Sequence, residues 1–539
     1  MASEEILRRT LANADGKPFS KYKGLENNFT LERFELIIDS VQNDRSGHTF
    51  MRVRVPLRAA GFPQDTYDSG VKKTALCDLI LRRFWESARA RARSPIPKTD
   101  GGQIFIPRPG QEILERGCVS ITEHYIEARF TADLPSSGGK ADSSALEVLI
   151  FDRISGIAGE SMFYSAYKQS KLYFHIHTAE NASFIRSSLK ERGLAAFIAE
   201  GSVIPRREDG LGPMIDAVPF SCDEASRTEF AVPSGDTIGG WGIPAGFTAV
   251  AGPSRQGKSS LTDAIFSGVY NHIPGDGREY VISPEDAVFV ASEEGRAVCG
   301  TDISMFSAGV NDVTDVSVSS PVSEFSSVSE AVEMGSSLII ADEEYSNPCV
   351  VRRGFMSEGD GYVPFSEAGR AMARAGTSLI LITGDETAVR MADNAFVMRD
   401  YSVSRIEISG EDSNLHFRKP SARYPVFRNI QFEKGRKEIS TSADSIRCVE
   451  IGVQKIDVPF AAFFETAQTK AAADAFVFAR EIADGSKTMR EVCEEAVLSE
   501  KRSDSEPGNV SGMYHSYPRA VDLAAAIGRH PQLLVIKKG

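Results

Sequence analysis

The sequence predicts an α/β fold built on a mixed, mostly parallel sheet flanked by helices. Three stretches carry that expectation. The first is Gly252-Pro253-Ser254-Arg255-Gln256-Gly257-Lys258-Ser259, which follows the apolar run Phe247–Ala251. After it, Leu261, Ala264, Ile265 and Val269 recur at helical spacing. The second is Ser337-Leu338-Ile339-Ile340-Ala341-Asp342-Glu343-Glu344, and the third is the apolar run Ser378–Ile382 before Gly384-Asp385. Short apolar runs that end in a polar residue fit strands of a parallel sheet buried on both faces, with their ligands at the carboxyl ends.

Strand, glycine-rich loop and helix together make the P-loop of a nucleotide-binding protein. Glycines at 252 and 257 let backbone N–H groups converge on phosphate oxygens, and the helix N-terminus adds partial positive charge. Residues Gly252 to Ser260 are therefore the expected nucleotide contacts. Lys258 reaches the β- and γ-phosphates, and the Ser259 hydroxyl is a ligand for Mg²⁺. Asp342 is the second expected Mg²⁺ ligand. Glu343 is the expected general base that polarises the attacking water. Successive strand residues point to opposite faces, so Asp342 and Glu343 cannot reach the metal by the same route.

The other segments are read in chain order. Residues 1–165 form an accessory segment of mixed α+β character. Phe34–Val41 is a short apolar run, and Met51–Pro56 alternates as a half-buried strand with its arginines on the other face. Residues 72–93 read as a helix with Leu76, Ile80 and Phe84 on one side. Its far end is basic: Arg82, Arg83, Arg89, Arg91, Arg93 and Lys98 stand against Glu86 alone. Residues 166–410 hold the P-loop. Within them, Leu172–His177 alternates as a strand, Gly239–Gly246 reads as a tight turn, and 304–330 is Ser- and Val-rich and passes for a loop. The His-x-His at 175 and 177 has no third ligand at metal spacing and is assigned to the strand. Residues 411–539 open with a basic, aromatic-interleaved stretch. In it Arg418, Lys419, Arg423, Arg428, Lys434, Arg436 and Lys437 alternate with Phe417, Tyr424, Phe427 and Phe432. Cations for phosphates and rings for stacked bases suit a nucleic-acid surface; core aromatics under a solvated edge are the alternative. Helices follow at 461–484 and 488–499, then a polar loop at 501–512 and a short terminal helix.

The bulk composition narrows the class. A length of 539 residues suits two to four domains, and a hydrophobic content of 42% suits a globular core. The formal net charge of −13 excludes a uniformly basic nucleic-acid coat but leaves room for local basic patches. Seven dispersed cysteines with no Cys-x-x-Cys point to free thiols in a reducing compartment. No run is long enough to span a membrane, and the charged start has no signal-peptide core, so a cytoplasmic location is expected.

Several motifs carry a family resemblance. They include Arg108–Arg116, Ile204–Arg207, and the long run from Gly242 through the P-loop to Gly268-Val269-Tyr270-Asn271-His272-Ile273-Pro274-Gly275-Asp276-Gly277-Arg278-Glu279. Glu293–Arg296, Asp302–Ser304 and Ala392–Asn394 follow. The chain resembles the predicted ATPases of the ABC class. The resemblance implies an ABC-type ATPase core between N- and C-terminal domains (1–165, 166–410 and 411–539). It implies ATP and Mg²⁺ as cofactors and a homodimer in which each ATP lies between one P-loop and the other chain's signature segment. It also implies RNA as a partner, since members of the family include RNA-binding proteins of kinetoplastid mitochondria. The RNA candidates here are Arg89, Arg91, Arg93, Arg418, Lys419, Arg423 and Arg428. Glu293 and Glu294 fall where a loop would couple the site to the accessory domain. The family's signature resembles Ser-Gly-Ser-Thr-Ser-Gln; here it corresponds to Ser319-Ser320-Pro321-Val322-Ser323-Glu324, acting in trans. In this chain Pro321 removes an N–H donor and Glu324 brings negative charge towards a polyphosphate, so slow hydrolysis is expected. A nucleotide-dependent protein-interaction switch with no nucleic-acid role is the alternative function.

Overall fold

The computed structural model describes residues 2–42, 47–93, 96, 99–208, 210–307, 309–310, 312–353, 361–408, 415–427, 430, 432, 439–506, 509 and 511–538. The chain divides into two compact units: Met1–His177 with Lys501–Ser516, and Thr178–Glu500 with Tyr517–Gly539. Of the segment 411–539, Lys501–Ser516 falls in the first unit and the remainder in the second. Most of that segment shares one apolar core with the P-loop segment: Cys299 and Met334 pack in the same cluster as Phe427, Phe432, Phe476, Leu523 and Ile527.

The first unit opens with helix α1 (Glu4–Ala14), capped by the Ser3 hydroxyl. Its sheet is built on β1 (Asn27–Thr30), β2 (Glu35–Ser40), β3 (Thr49–Pro56), β4 (Val119–Ile121) and β5 (Tyr125–Ala132), with antiparallel pairs β1–β2, β2–β3, β3–β5 and β4–β5. Helix α2 (Gly70–Ala92) covers it, with the Phe84 ring tilted against Phe130 at 5.3 Å. The arginines of β3 do not face water as the alternation suggests. Arg52, Arg54 and Arg129 converge on the buried Glu127 carboxylate, and Arg52 also binds Asp39. A second buried lattice joins Asp78 to Arg82, Arg116 and His175. Burial would raise the Asp78 carboxyl, but Arg82 and Arg116 outweigh it and hold it well below the usual range.

Leu172–His177 is helical, not a strand: it lies in α3 (Gln169–Ser188). The alternation there is incidental; Leu172, Ile176, Ala179, Ala182 and Ile185 are buried at three- and four-residue spacing. His175 packs on Asp78 while His177 lies tilted against Tyr173, so the two imidazoles do not converge on a metal.

The second unit holds a seven-stranded sheet around the P-loop strand. An antiparallel sheet of β6 (Leu194–Ala199), β7 (Arg227–Ala231) and β8 (Thr237–Pro244), with Val281–Ile282 on β6, lies beside it in sequence. The glycine-rich stretch at 239–246 is therefore mainly strand. At Gly240 a Cβ would meet the Ile198 carbonyl oxygen at 2.2 Å, so close strand approach, not a turn, demands that glycine. The P-loop strand β9 (Phe247–Ala251) leads into helix α4 (Lys258–Ser267). Then come β10 (Val288–Val290), helix α5 (Ser320–Glu333), β11 (Leu338–Asp342), helix α6 (Phe365–Arg374), β12 (Ser378–Ile382), β13 (Asn394–Arg399) and β14 (Ser402–Ile406). β10, β11, β12, β9 and β13 are parallel neighbours, and β14 returns antiparallel to β13. Both faces are apolar. Val250, Ile340, Ile380 and Ile382 meet Leu261, Ala264 and Ile265 of α4. Phe247, Ala249, Ile339, Ala341, Leu379 and Leu381 meet Phe325 and Val328 of α5 and Phe365, Ala368 and Met372 of α6.

The Ser-rich stretch expected to be a loop thus contains a core helix. Its serines 323, 326 and 329 are buried beside Phe325, Val328, Ala331 and Val332, and the Ser327 hydroxyl bonds back to the Ser323 carbonyl. Near the end of the chain, α7 (Thr466–Ile482), α8 (Met489–Ser505) and α9 (Ala520–Gly528) match the expected helices, except that α8 runs five residues into the expected polar loop, as far as Ser505. All seven cysteines are free thiols. No helix among the described residues is long and apolar enough to cross a membrane.

Among the described residues of the basic stretch at 417–437, most of the rings belong to apolar cores. Phe427 and Phe432 are core residues, and Phe417 packs against the core on α5 and α6. Arg423 is only 1% exposed. It donates to Glu333 at 2.7 Å, to Glu330 at 3.4 Å and to Thr301 Oγ1 at 2.9 Å. Arg418 and Lys419 are exposed. Arg428, Lys434, Arg436, Lys437 and Lys98 lie outside the described residues. Replacing Arg423 with Met leaves Glu330 and Glu333 short of a buried partner. It should lower the unfolding free energy by about 3–5 kcal/mol in denaturant titration, whereas Arg418→Ala should change it by less than about 0.5 kcal/mol. Equal effects would contradict the buried role.

Candidate nucleotide-binding site

The P-loop is shaped by its backbone. Gly257 (φ +97°) is the left-handed N-cap of α4, and Arg255 (φ +64°) takes the same region without glycine's freedom. A Cβ on Gly257 would meet the Tyr401 ring at 2.5 Å. Tyr401 and Asp400, both at positive φ, form the turn between β13 and β14. This turn clamps the loop: the Asp400 N–H donates to Gln256 Oε1 (2.8 Å) and the Tyr401 N–H to the Gln256 carbonyl (3.3 Å). Lys258 Nζ donates to the carbonyls of Gly252 (2.7 Å) and Pro253 (3.1 Å). Pro253, Ser254 and Arg255 are exposed, and Ser260 is half-buried on the first turn of α4.

Three carboxylates gather at the end of β11. Asp342 accepts from Thr262 Oγ1 at 2.6 Å and from the Glu344 N–H at 3.0 Å. Ser259 Oγ donates to Glu344 Oε2 at 2.7 Å. Thus Ser259 and Asp342 are joined through Glu344, not directly to one another. Glu343 diverges from Asp342, as strand geometry requires, and accepts from Thr383 Oγ1 at 2.9 Å beyond β12. Burial raises the Asp342 carboxyl, with the charges of Glu344 and Glu343 adding to the shift and Thr262 working against it. Asp263 is likewise raised by burial, with Asp342 adding to it. Carboxylate and hydroxyl oxygens short of positive charge are the donor set that a hard divalent cation takes, so Ser259, Asp342 and Glu344 fit Mg²⁺.

The signature segment lies differently from expectation. Ser319 is the N-cap position of α5, and Pro321 falls in the first turn, where its missing N–H has no intrahelical partner to lose. Ser323 and Glu324 do not face outward: both are buried in their own subunit. Glu324 accepts from Ser292 Oγ (2.7 Å) and the Asn347 N–H (3.0 Å), and Asn347 Nδ2 also donates to Ser320 Oγ (3.2 Å). The charge feared for a polyphosphate is therefore turned into the core. Ser319, Ser320, Pro321 and Val322 keep surface. The coupling-loop residues meet this same segment: the Ser320 N–H donates to Glu294 Oε2 at 2.8 Å, and the Glu293 N–H to Ser323 Oγ at 2.9 Å.

Residues 168–429 match the family described as ABC_ATPase, P-loop domain, and residues 4–165 match that of the ATPase of the ABC class N-terminal. The chain belongs to the ABC-class ATPases. An uncharacterized protein of Methanocaldococcus jannaschii, MJ1628, is 25% identical over 264 residues, 45% of this chain. The chain spans 57% of that protein's length. Among solved structures, an Atm1-family bacterial ABC exporter with ATP bound is similar at 13% identity and a TM-score of 0.24, over 39% of this chain and 38% of that one. The dimeric post-hydrolysis ATP-binding cassette MJ0796 with ADP and Pi gives 12% identity and a TM-score of 0.22, over 34% of this chain and 97% of that one.

In this ABC-class ATPase the residues that sequence reasoning missed are Thr262, Thr383, Glu344 and Tyr401. Thr262 had a signal, since it sits one turn beyond Lys258 and Ser259 on α4. Tyr401 had none, because its place depends on a hairpin turn that carries no glycine.

Burial pushes the Glu324 carboxyl from 4.5 up to about 7, although the bonds from Ser346, Ser292 and Asn347 work against it. A carboxyl raised on folding contributes stability that is fully present below pH 4.5 and is lost as pH rises through 7. Relative to Glu324→Gln, the wild type should lose on the order of 3 kcal/mol across that window in urea unfolding. A stability gap that stays constant from pH 4.5 to 7.5 would contradict it.

Proposed function

We propose that two copies of this chain clamp ATP and hydrolyse it slowly, and that the clamp acts on RNA held by the first unit. The observation that carries the reading is the convergence at the end of β11, where Ser259, Asp342 and Glu344 are linked by hydrogen bonds and Glu343 turns to Thr383. Lys258 exchanges its loop carbonyls for β- and γ-phosphate oxygens. The backbone N–H groups of Ser254 to Ser260 bind the remaining phosphate charge. Mg²⁺, held by Ser259 and Asp342, would neutralise phosphate charge when bound. Glu343 takes a proton from water as its oxygen attacks the γ-phosphorus and the bond to ADP breaks, giving ADP and phosphate. The second copy supplies Ser319 and the N-terminal N–H groups of α5.

Slow turnover follows from what the site lacks and what it binds. Where ABC-type ATPases carry a γ-phosphate-sensing histidine after β12, this chain has Gly384 and Asp385, and Asp385 is committed to capping the helix Glu386–Met391. Glu294 also occupies the Ser320 N–H that a phosphate would use.

The RNA part of the reading shifts to α2. Trp85, Arg89 and Arg93 recur every four residues on one face, and Arg89 and Arg93 are exposed. The guanidiniums of Arg89 and Arg108 lie over the Trp85 ring, at 5.1 and 5.2 Å from its centroid. Arg91 is less available, since it is paired with Glu160 at 2.7 Å. A cationic face around a half-exposed ring suits phosphates and stacked bases.

The test compares wild type, Glu343→Gln and the triple variant Trp85→Ala/Arg89→Ala/Arg108→Ala. Glu343→Gln should keep ATP affinity and lose at least about 100-fold in turnover. The triple variant should keep turnover but bind single-stranded RNA at least tenfold more weakly, with a shallower dependence on salt. Equal turnover in wild type and Glu343→Gln removes Glu343 as the base. Unchanged RNA affinity in the triple variant removes α2 as the surface.

A further inference from the structure

The first turn of α5 is held by the loop that follows β10. The Glu293 N–H and the Glu294 carboxylate bind Ser323 and Ser320, as described above. Arg296 adds bonds to the Ser323 carbonyl (2.9 Å) and Ser327 Oγ (3.1 Å), and pairs with Glu330 at 3.2 Å. The loop is gripped in turn by the residue that ends α9. Arg529 Nε donates to Glu293 Oε2 at 2.9 Å and Arg529 Nη2 to Glu293 Oε1 at 2.5 Å, a two-pronged contact that fixes direction as well as distance. Arg529 Nη1 is anchored on the Ala525 carbonyl within α9 (2.8 Å). The arginine is 5% exposed, so its place is set by packing and not by solvent. Burial would raise the Glu293 carboxyl, but Arg529 outweighs it and holds it below the usual range.

We propose that Arg529 is a positioning residue for the ATP site. By fixing Glu293 it orders the loop that shapes the α5 N-terminus, where a nucleotide held by a second copy is received. The proposal rests on the two-copy reading above. The chain of contact is short: Arg529 to Glu293, Glu293 N–H to Ser323, and Glu294 to the Ser320 N–H. Glu294 and a γ-phosphate are both anions that favour the same helix N-terminus. The carboxylate keeps the turn in its receiving shape until the phosphate replaces it. Without the Arg529 fork, the loop must be ordered during association, and that cost is charged to the second half of the site alone. The P-loop that first binds the nucleotide is untouched.

The experiment measures three quantities for wild type, Arg529→Gln and Arg529→Lys. They are affinity for a fluorescent ATP analogue at low protein concentration, the ATP concentration giving half-maximal turnover, and turnover at saturation. Arg529→Gln should raise the half-maximal ATP concentration about tenfold, with analogue affinity and saturated turnover unchanged. Arg529→Lys keeps the charge but not the fork and should fall between. The paired variant Glu293→Gln/Arg529→Gln leaves no buried charge unpaired and should show the same rise, which keeps the test valid if Arg529→Gln does not fold. An unchanged half-maximal concentration in the folded variants overturns the proposal. So does a parallel loss of analogue affinity, which would make Arg529 merely structural. A wild type whose turnover per chain is independent of protein concentration overturns the two-copy reading itself, and the proposal with it.

Discussion

The Glu330 carboxylate on α5 is the constraint around which the second unit is arranged. A buried carboxylate costs several kcal/mol to desolvate unless it is paired and hydrogen-bonded. Here Arg296 approaches from the loop after β10, Arg423 from the segment beyond the sheet, and Thr301 Oγ1 donates at 3.0 Å. Those partners bring with them Glu333, bound by Arg423, and Arg529, bound by Glu293. The helix that closes one face of the P-loop sheet is thus tied to the C-terminal part of the chain by charge as well as by the apolar cluster around Phe427 and Phe476. These contacts hold the described residues between 415 and 500 with the P-loop segment in the second unit.

The same helix gives the site its form. Its apolar side, Phe325 and Val328, packs on β9, β11 and β12. Its N-terminus carries Ser319 and Ser320, and its buried Glu324 ties it to the segment that follows β11 through the Asn347 N–H. The P-loop helix and α5 therefore pack on opposite faces of one sheet. Under the proposed function, ATP held at one P-loop has its surroundings completed by a second chain's α5. On that reading ATP is a bridge between copies before it is a substrate.

The sequence made the chemistry of the P-loop legible and left its supports hidden. Gly252, Gly257, Lys258, Ser259, Asp342 and Glu343 stand where strand–loop–helix spacing puts them, because phosphate binding fixes both residue type and register. The strands at 247–251, 338–342 and 378–382 were equally legible as uninterrupted apolar runs. α5 was not, since Ser323, Ser326 and Ser329 dilute its hydrophobic stripe while being buried. Leu172–His177 misled in the other direction: its alternation ran over only six residues and hid a longer helical spacing that continues to Ile185. The arginines were the hardest to read. Arg423 and Arg418 are five positions apart in one basic stretch, yet one is buried on two glutamates and the other is in water. Charge composition is blind to partners far away in sequence, such as Glu330 and Glu333, and only the fold reveals them.

The account depends most on ATP joining two chains. The direct measurement is the mass of Glu343→Gln in solution by light scattering, with and without ATP and Mg²⁺, since this variant should hold ATP without consuming it. The account predicts a single chain of 58.6 kDa without nucleotide and twice that mass with it. A mass that stays at 58.6 kDa under saturating ATP would contradict it.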